Sequence, residues 1–359
     1  MNNIKKILII RRDNIGDLIL STPVIGALKT IYPQASIDFL VHTYTVEAIE
    51  ACPHLDRIWV YEKGKFAKNA WDRFLVYLRT ARLYLNLRRQ AYDLVFLLGN
   101  GESPKNLNLL KIIAARHAFA FGNPKKSSAR MTFIQSNKFL NSKLEATQSA
   151  VVETYEILSG LEYVPPVGPL LMAPNSNEVT KVLKTYPGFL EAHRKEAIIN
   201  IHLSARRPSQ RWGVNEYFSL IQKLSVYPIK FLITWSPGPQ DDPRHPGDDE
   251  KSEILKEQLN QASMDLSRIL FCRTTALAEL MAVLSFADGA ICPDGGAMHV
   301  NAGLGNPVIA LFGDSDVIRW RPWGVPYTLM HKPTQSVMDI SPAEVAEAAI
   351  ELFQLKGKP

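Results

Sequence analysis

Residues 290–316 read AICPDGGAMHVNAGLGNPVIALFGDSD, and this stretch indicates how the chain folds. The apolar run Gly289–Cys292 has the length and composition of a buried strand. The residues Pro293–Gly296 break it, and the small residues that follow favour a helix. A second apolar run, Pro307–Phe312, predicts another strand. Because an open α/β sheet binds ligands at the carboxyl ends of its strands, the loops after both runs are expected at one ligand-binding edge.

The glycine pair at this strand-to-helix junction is a candidate phosphate site. A helix N-terminus presents unpaired amides with partial positive charge, and glycines let a phosphate approach the backbone closely. The amides of Gly295, Gly296 and Ala297 would form the cradle. A tight connection without a ligand is the alternative, since a glycine pair is a weak fingerprint. Asp294 and His299, on either side of the turn, favour a functional site.

Three segments together resemble a known family. They are the motif Asp-Gly-Gly-x-x-His at 294–299, the segment 302–313 (AGLGNPVIALFG) and the segment 319–324 (RWRPWG). They are similar to the C-terminal signature of glycosyltransferase family 9, the ADP-heptose:lipopolysaccharide heptosyltransferases. Near the other end, Gly16-Asp17 followed by Thr22-Pro23 matches the Gly-Asp signature of that family.

The resemblance implies an inverting, metal-independent transfer of heptose from ADP-heptose to the inner core of lipopolysaccharide, without a cofactor. It also implies the GT-B architecture, in which two Rossmann-like domains face each other across a cleft. The chain itself predicts an α/β fold, because apolar strand runs alternate with helical patterns throughout. Near-continuous apolar runs such as Asp93–Leu98 favour parallel strands.

The domain boundary is expected at the Pro/Gly-rich segment Val164–Pro169. This division gives an N-terminal domain over 1–165, to which the resemblance assigns the acceptor, and a C-terminal domain over 166–359, to which it assigns the nucleotide sugar. The closing helix over 341–355 is a candidate to pack back on the N-terminal domain.

The family signature assigns roles to individual residues. Asp17 is implied as the general base, although a first-turn aspartate favoured by the helix dipole is the alternative. Asp294 is implied to contact the donor, or it caps the following helix. His299 would donate to the phosphate or sugar of the donor, whereas a lone histidine is usually structural.

The loop after the predicted strand Ala197–Leu203 is the other donor-binding candidate. It resembles the hydroxyl-rich loop of the family, which has a phosphate-binding lysine two residues before a tryptophan. Here Gln210 occupies the lysine position. Arg206, Arg207 or Arg211 could replace the lysine, because a guanidinium can bind a diphosphate through two hydrogen bonds. The predicted donor-binding residues of this loop are Ser204, Arg206 and Arg211. The pair Asp314 and Asp316 suggests a metal site, but the family pattern needs no metal.

Composition limits the compartment and the partners. The chain has 359 residues, 46% hydrophobic and 21% charged, with a net charge of +6 and three cysteines without paired spacing. We expect a cytoplasmic protein without a secretory signal or membrane span. The lipopolysaccharide acceptor that the resemblance implies would place it peripherally on the cytoplasmic face of the inner membrane. Residues 103–144 lack acidic residues, which suits an anionic glycolipid or lipid surface, or only a solvated face, better than nucleic acid. The basic residues are Lys105, Lys111, Arg116, Lys125, Lys126, Arg130, Lys138 and Lys143.

The segment Asn69–Gln90 is the longest helical pattern. It carries an apolar stripe that includes Trp71, Phe74 and Leu85, and it contains five arginines. We predict that the stripe packs on a sheet. Contact with anionic lipid is the alternative.

Other functions remain open from the sequence. They are transfer of another nucleotide sugar, isomerisation of one, or binding without turnover, for which Gln210 is the main support. A dehydrogenase is disfavoured, because the first strand-to-helix loop, Arg12–Asp17, has one glycine where a dinucleotide fingerprint has three.

Overall fold

A parallel six-stranded sheet lies in each half of the part of the chain that the computed structural model describes. The described residues are 3–62, 69–136, 148–190, 196–242 and 246–356. Contacts divide the chain into two units, Met1–Met172 and Ala173–Pro359. The predicted α/β class with two Rossmann-like domains is confirmed.

The first sheet has the strand order β3-β2-β1-β4-β5-β6, with all pairs parallel. Its central strands are rich in buried apolar residues, as expected for strands that are covered on both faces. The strands are β1 (Lys6–Ile10), β2 (Ser36–His42), β3 (Arg57–Tyr61), β4 (Leu94–Asn100), β5 (His117–Phe121) and β6 (Met131–Ile134).

The helices of the first unit include two short ones where the sequence predicts one. The chain turns at Ser21–Thr22 before Pro23, which starts the second helix because proline suits a first helical position. The helices are α1 (Ile15–Ile19), α2 (Pro23–Ile31), α3 (Ala70–Arg89), α4 (Pro104–Ile113) and α5 (Ala150–Tyr155).

The second sheet has the order β12-β11-β10-β7-β8-β9, again parallel. Its strands are β7 (Ala197–His202), β8 (Ile229–Trp235), β9 (Ile269–Arg273), β10 (Gly289–Pro293), β11 (Val308–Phe312) and β12 (Tyr327–His331). The helices are α6 (Ser176–Thr185), α7 (Pro187–Leu190), α8 (Val214–Leu224), α9 (Asp249–Gln261), α10 (Leu277–Leu284), α11 (Gly296–Gly303), α12 (Val317–Trp320) and α13 (Pro342–Leu352).

The closing helix α13 starts with a side-chain cap. The hydroxyl of Ser341 accepts from the Glu344 amide, and the Glu344 carboxylate accepts from the Ser341 amide, which completes a capping box. Its buried residues Val345, Ala346 and Ala349 belong to the hydrophobic core of the second unit. The apolar face of this helix is therefore used within its own unit.

The proline-rich segment after residue 163 is tied to the first unit. The Tyr155 hydroxyl donates to the Pro165 carbonyl at 2.9 Å, and the Leu171 amide donates to the Thr22 hydroxyl at 2.9 Å. These bonds explain why the first unit extends to Met172, beyond the boundary expected near residue 165.

Helix α3 differs from the expectation for its apolar stripe. Within this fully described helix, Leu87 alone is buried, whereas Trp71, Phe74 and Leu85 are half exposed or more. The prediction that the stripe packs on a sheet is wrong, because other side chains of α3 face the sheet. No helix among the described residues is long and apolar enough to cross a bilayer.

The basic stretch 103–144 is partly neutralised in the structure. Arg116 forms an ion pair with Asp93 at 3.2 Å, and Lys126 forms one with Glu102 at 3.0 Å. Both acidic partners precede the stretch in sequence. Lys138 and Lys143 lie outside the described residues.

Candidate functional site

In the second unit, the order of the strands reverses between β7 and β10. These strands are hydrogen-bonded neighbours, and the chain continues from them towards opposite edges of the sheet. Open α/β sheets bind ligands at such a switch point, beyond the carboxyl ends of the strands. The loop 203–213 and the turn Asp294–Gly295 follow these two ends. The topology therefore brings together the two donor-binding segments that the sequence predicts.

The glycine turn leaves open space at a helix N-terminus. Gly295 is the N-cap of α11, and no described side chain caps this end of the helix. A Cβ built on Gly295 or Gly296 would meet no described atom within 4 Å. Gly295 has φ 165°, which is extended backbone. Because packing within the described chain does not exclude a side chain here, close approach of a ligand is a physical reason for the glycines.

Asp294 does not cap the helix, so the capping alternative is wrong. Its carboxylate instead accepts from the Gln210 side-chain amide at 2.9 Å. Gln210, at the lysine position of the family, is buried and also donates to the Ser315 hydroxyl. Burial raises the pKa of Asp294, against the lowering effect of the Ser315 hydrogen bond. Gln210 thus links the two loops through an uncharged side chain.

The arginines of the loop 203–213 have different environments. Arg206 is exposed. Arg207 forms a 3.3 Å ion pair with Asp314, which also accepts from the Ser209 hydroxyl at 2.6 Å. The Ser209 hydrogen bond, followed by that of Arg207, lowers the pKa of Asp314. Arg206 and Arg207 are the two arginines of this loop that lie at its surface.

Ser204 and Arg211, both predicted to bind the donor, have partners inside the protein. The Ser204 hydroxyl donates to Asp248 at 2.6 Å. Arg211, whose side chain is 11% exposed, forms an ion pair with Asp248 and donates to the Ala205 carbonyl at 2.8 Å. Lys251 joins this buried carboxylate at 2.9 Å. These bonds hold the shape of the loop 203–213.

His299 lies in the first turn of α11 and is 3% exposed. Its ring centroid lies 6.4 Å from that of Trp320. The histidine is therefore at the predicted turn but within packed surroundings. Its contact with a donor stays a prediction.

The paired aspartates after β11 have hydrogen-bond partners within the protein. Asp316 is the N-cap of α12 and accepts from the Ile318 and Arg319 amides at 3.0 and 2.9 Å. Asp314 contacts Arg207 and Ser209, as described above. Among the described residues, no group of three His, Cys, Asp or Glu side chains could hold a metal ion.

In the first unit, the strand order reverses between β1 and β4. The predicted base, Asp17, lies in α1, just after β1. Its carboxylate accepts from the buried Arg11 guanidinium at 2.8 Å, and the same arginine lies 3.0 Å from the Asp13 carboxylate. Arg11 thus fixes two carboxylates at the carboxyl end of β1.

A cavity of about 900 Å³ opens at this same edge of the first sheet. It is lined by tyrosine side chains, by the segment 97–100, which contains Gly99, and by one side of α3. Sequence reasoning missed this cavity. The sequence feature that could have indicated it is the polar carboxyl end of the strand β4, Gly99-Asn100. The lining includes Arg12, Asp13, Tyr61, Glu62, Arg73, Val76, Tyr77, Thr80, Tyr84, Asn100, Lys105 and Asn106.

The charges of the cavity favour an anionic ligand. Its two carboxylates already have cationic partners, since Asp13 pairs with Arg11 and Glu62 pairs with Arg79 at 3.2 Å. Arg73 and Lys105 are exposed to the cavity and have no ion-pair partner among the described residues. Unpaired cations in a concave site attract anions.

Comparison with known proteins agrees with this geometry. Residues 80–347 match the sequence profile of glycosyltransferase family 9 (heptosyltransferase). The chain is 23% identical over 313 residues to lipopolysaccharide heptosyltransferase 3 of Escherichia coli, which covers 86% of this chain and 83% of that protein.

Solved structures show the same fold. The glycosyl transferase family 9 structure from Veillonella parvula superimposes with a TM-score of 0.75 at 17% identity, covering 98% of this chain and 97% of that one. The E. coli heptosyltransferase WaaC with ADP-2-deoxy-2-fluoro heptose gives 0.71 at 17% identity, covering 96% and 99%. The predicted GT-B fold class is confirmed.

The two parallel α/β units and their likeness to these solved structures give the GT-B fold class. More particularly, the chain belongs to glycosyltransferase family 9, the heptosyltransferase family. The prediction of a glycosyltransferase is confirmed. The matched segment begins after Asp17, and the roles of the individual site residues stay predictions.

Proposed function

We propose that this protein transfers heptose from ADP-heptose to the inner core of lipopolysaccharide, with inversion at the anomeric carbon and without a metal ion. The open helix N-terminus at Gly295–Gly296 is the observation that carries this proposal, because it suits a departing diphosphate. Support for the substrates comes from the similar proteins, a lipopolysaccharide heptosyltransferase and a heptosyltransferase bound to an ADP-heptose analogue.

In the proposed reaction, Asp17 accepts the proton of the acceptor hydroxyl. The hydroxyl oxygen forms a bond to the anomeric carbon as the bond from that carbon to the diphosphate oxygen breaks. Attack opposite the leaving group inverts the configuration. The electron pair goes to the diphosphate, whose charge the amides of Gly296 and Ala297 stabilise. Arg206, exposed near this turn, supplies a further positive charge.

The donor would contact the rest of the turn as well. We assign the sugar hydroxyls to Asp294 and a contact with the donor to His299. Ser204 and Arg211 support the loop 203–213 from inside, because their hydrogen bonds are to Asp248 and Ala205. Their effect on the donor is therefore indirect.

The acceptor would occupy the cavity of the first unit. Lipopolysaccharide inner cores carry negative charges, and the cations Arg73 and Lys105 match them. The tyrosines of the lining, such as Tyr77 and Tyr84, offer flat faces for sugar rings. With this acceptor, the enzyme would act at the cytoplasmic face of the inner membrane and would contact that membrane peripherally.

The substitution Asp17→Asn tests the proposal. It removes the proton acceptor but keeps the shape, so we expect turnover of ADP-heptose with a heptose-free lipopolysaccharide acceptor to fall at least ~100-fold. The Kd of ADP, measured by calorimetry, should stay within about twofold. Asp72→Asn is the matched control, since Asp72 is also a first-turn aspartate. Equal losses of ADP binding and turnover in Asp17→Asn would reject the assignment.

One observation supports a second candidate, binding of a nucleotide sugar without turnover. The buried Gln210 puts a neutral amide where the family has a lysine. A wild-type protein that binds ADP-heptose tightly but transfers no heptose to any lipopolysaccharide acceptor would favour this candidate. Release of an epimerised sugar in the absence of acceptor would instead indicate an isomerase.

A further inference from the structure

The outer face of α3 carries an exposed apolar stripe. Trp71, Phe74, Leu78 and Leu85 follow one another at spacings of three, four and seven residues, which places them on one side of a helix. Their exposed fractions are 67%, 50%, 51% and 54%. The rings of Trp71 and Phe74 lie 5.5 Å apart. Several large apolar side chains exposed on one side of one helix are typical of an interaction surface.

The opposite side of the same helix lines the cavity of the first unit. Val76, Thr80 and Tyr84 lie on it and line the cavity of the first unit, while Leu87 is buried beneath. The apolar stripe is therefore not part of the hydrophobic core of the first unit. It faces away from the cavity, and one helix separates the two.

The charges beside the stripe are positive. Arg82 and Arg89 stand four residues after Leu78 and Leu85, hence on the same side of the helix. Both are exposed, and neither has an ion-pair partner among the described residues. The one acidic residue of α3 is Asp72, against five arginines. The patch thus combines aromatic and aliphatic side chains with uncompensated cations.

We infer that the outer face of α3 docks on the surface of an anionic phospholipid bilayer. Tryptophan, leucine and arginine on one helix face are the composition that binds at the level of lipid headgroups. A second copy of the chain fits less well, because it would bring the arginines of two identical faces together without acidic partners. The biological role of this docking rests on the proposed function. The lipid-anchored acceptor would enter the cavity on the other side of α3.

Sedimentation with vesicles tests the inference on the full chain. We expect binding to vesicles of phosphatidylglycerol and phosphatidylethanolamine, weakened by salt, and little binding to phosphatidylcholine. Arg82→Gln should lower the partition coefficient about fivefold, and Arg82→Gln with Arg89→Gln should lower it further. Trp71→Ser with Phe74→Ser should lower it at least ~10-fold, since two large apolar side chains no longer insert.

Matched controls lie in the second unit. Lys223→Gln removes an exposed charge, and Val226→Ser removes an apolar side chain that is 67% exposed. Both should bind vesicles as the wild type does. Vesicle binding that is absent in the wild type, or equal in the α3 variants and the controls, would overturn the inference. So would a dimer that Trp71→Ser dissociates, which would identify a second copy as the occupant.

Turnover separates this inference from the proposed function. With a delipidated, water-soluble inner-core acceptor, the Trp71→Ser/Phe74→Ser variant should retain the wild-type rate, because neither residue lines the cavity. A wild-type protein that transfers heptose to this acceptor but ignores vesicles would refute the lipid surface alone. One that binds vesicles through α3 but transfers no heptose would refute the proposed function alone.

Discussion

Gln210 occupies the position where the family resemblance implies a phosphate-binding lysine. Its side-chain amide donates to the Asp294 carboxylate and to the Ser315 hydroxyl, so it joins the loop after β7 to the loops after β10 and β11. A lysine would make the same connection with a positive charge. The sequence identified the substitution but could not show its partners, because they are 84 and 105 positions away.

We expect Gln210→Lys to tighten ADP binding. The added ammonium lies near the helix N-terminus proposed for the diphosphate, and a charge-assisted hydrogen bond should lower the Kd of ADP about tenfold. Titration calorimetry measures this change. Gln222→Lys, which adds the same charge at an exposed position of α8, should leave the Kd unchanged. An unchanged Kd in Gln210→Lys would mean that Asp294 neutralises the ammonium.

Asp294 should make stability depend on pH in a defined direction. Burial raises the pKa of its carboxyl, so the folded state holds the proton more tightly than the unfolded chain does. The resulting penalty is fully present above the folded pKa, declines as the pH falls below it, and is gone below the pKa of the unfolded chain. Asp294→Asn keeps an oxygen that can accept from Gln210, so it should raise the free energy of unfolding at pH 7.5.

Urea unfolding at two pH values checks this expectation. The stability difference between wild type and Asp294→Asn should shrink at a pH below the pKa of a free aspartate, where the wild-type carboxyl is protonated in both states. A variant less stable than the wild type at pH 7.5 would show that the ionised carboxylate is stabilised in the fold.

At the scale of elements, the buried strands were the most predictable part. The predicted strand Pro307–Phe312 agrees within one residue with β11, Val308–Phe312, because all five residues of this strand are apolar and buried. The edge strands β6 and β12 were missed, since their side chains are only partly buried and their patterns are mixed. Periodicity also located α3 correctly. Periodicity could not show which side of this helix is covered, and the apolar stripe is the side that the structure leaves exposed.

The N-terminus of α11 yields a prediction that separates binding from folding. A methyl group at position 296 would meet no described atom within 4 Å, and alanine suits a helix better than glycine. Gly296→Ala should therefore leave the free energy of unfolding unchanged or raise it by up to about 1 kcal/mol. If the diphosphate packs on this backbone, the Kd of ADP should rise roughly tenfold or more.

Gly188→Ala is the matched control. Gly188 lies in the short helix α7, and a Cβ there also meets no described atom within 4 Å. Urea unfolding and ADP titration on both variants complete the comparison. Equal ADP affinity in Gly296→Ala and Gly188→Ala would place the diphosphate elsewhere.

For the whole molecule, the resemblance at the two ends of the sequence predicted the fold and family, because the motifs sit where strands meet helices. The cavity of the first unit was beyond sequence reasoning. Its cations, Arg73 and Lys105, come from different helices. The carboxylates of the lining pair with Arg11 and Arg79, and the sequence alone does not indicate these ion pairs. Contacts of this kind depend on the packing of α3 and α4 around the sheet.

The donor preference and the independence from metal can be tested on the intact protein by thermal unfolding. A ligand at one hundred times its Kd stabilises a protein by about 2.7 kcal/mol, which gives a rise of several degrees in Tm. Among ADP, GDP, UDP and dTDP, we expect ADP to give the largest rise. EDTA should not reduce it, because helix amides and arginine balance the diphosphate charge. Excess Mg²⁺ is the comparison, and a rise that requires Mg²⁺, or that is larger with UDP, would contradict the proposed donor site.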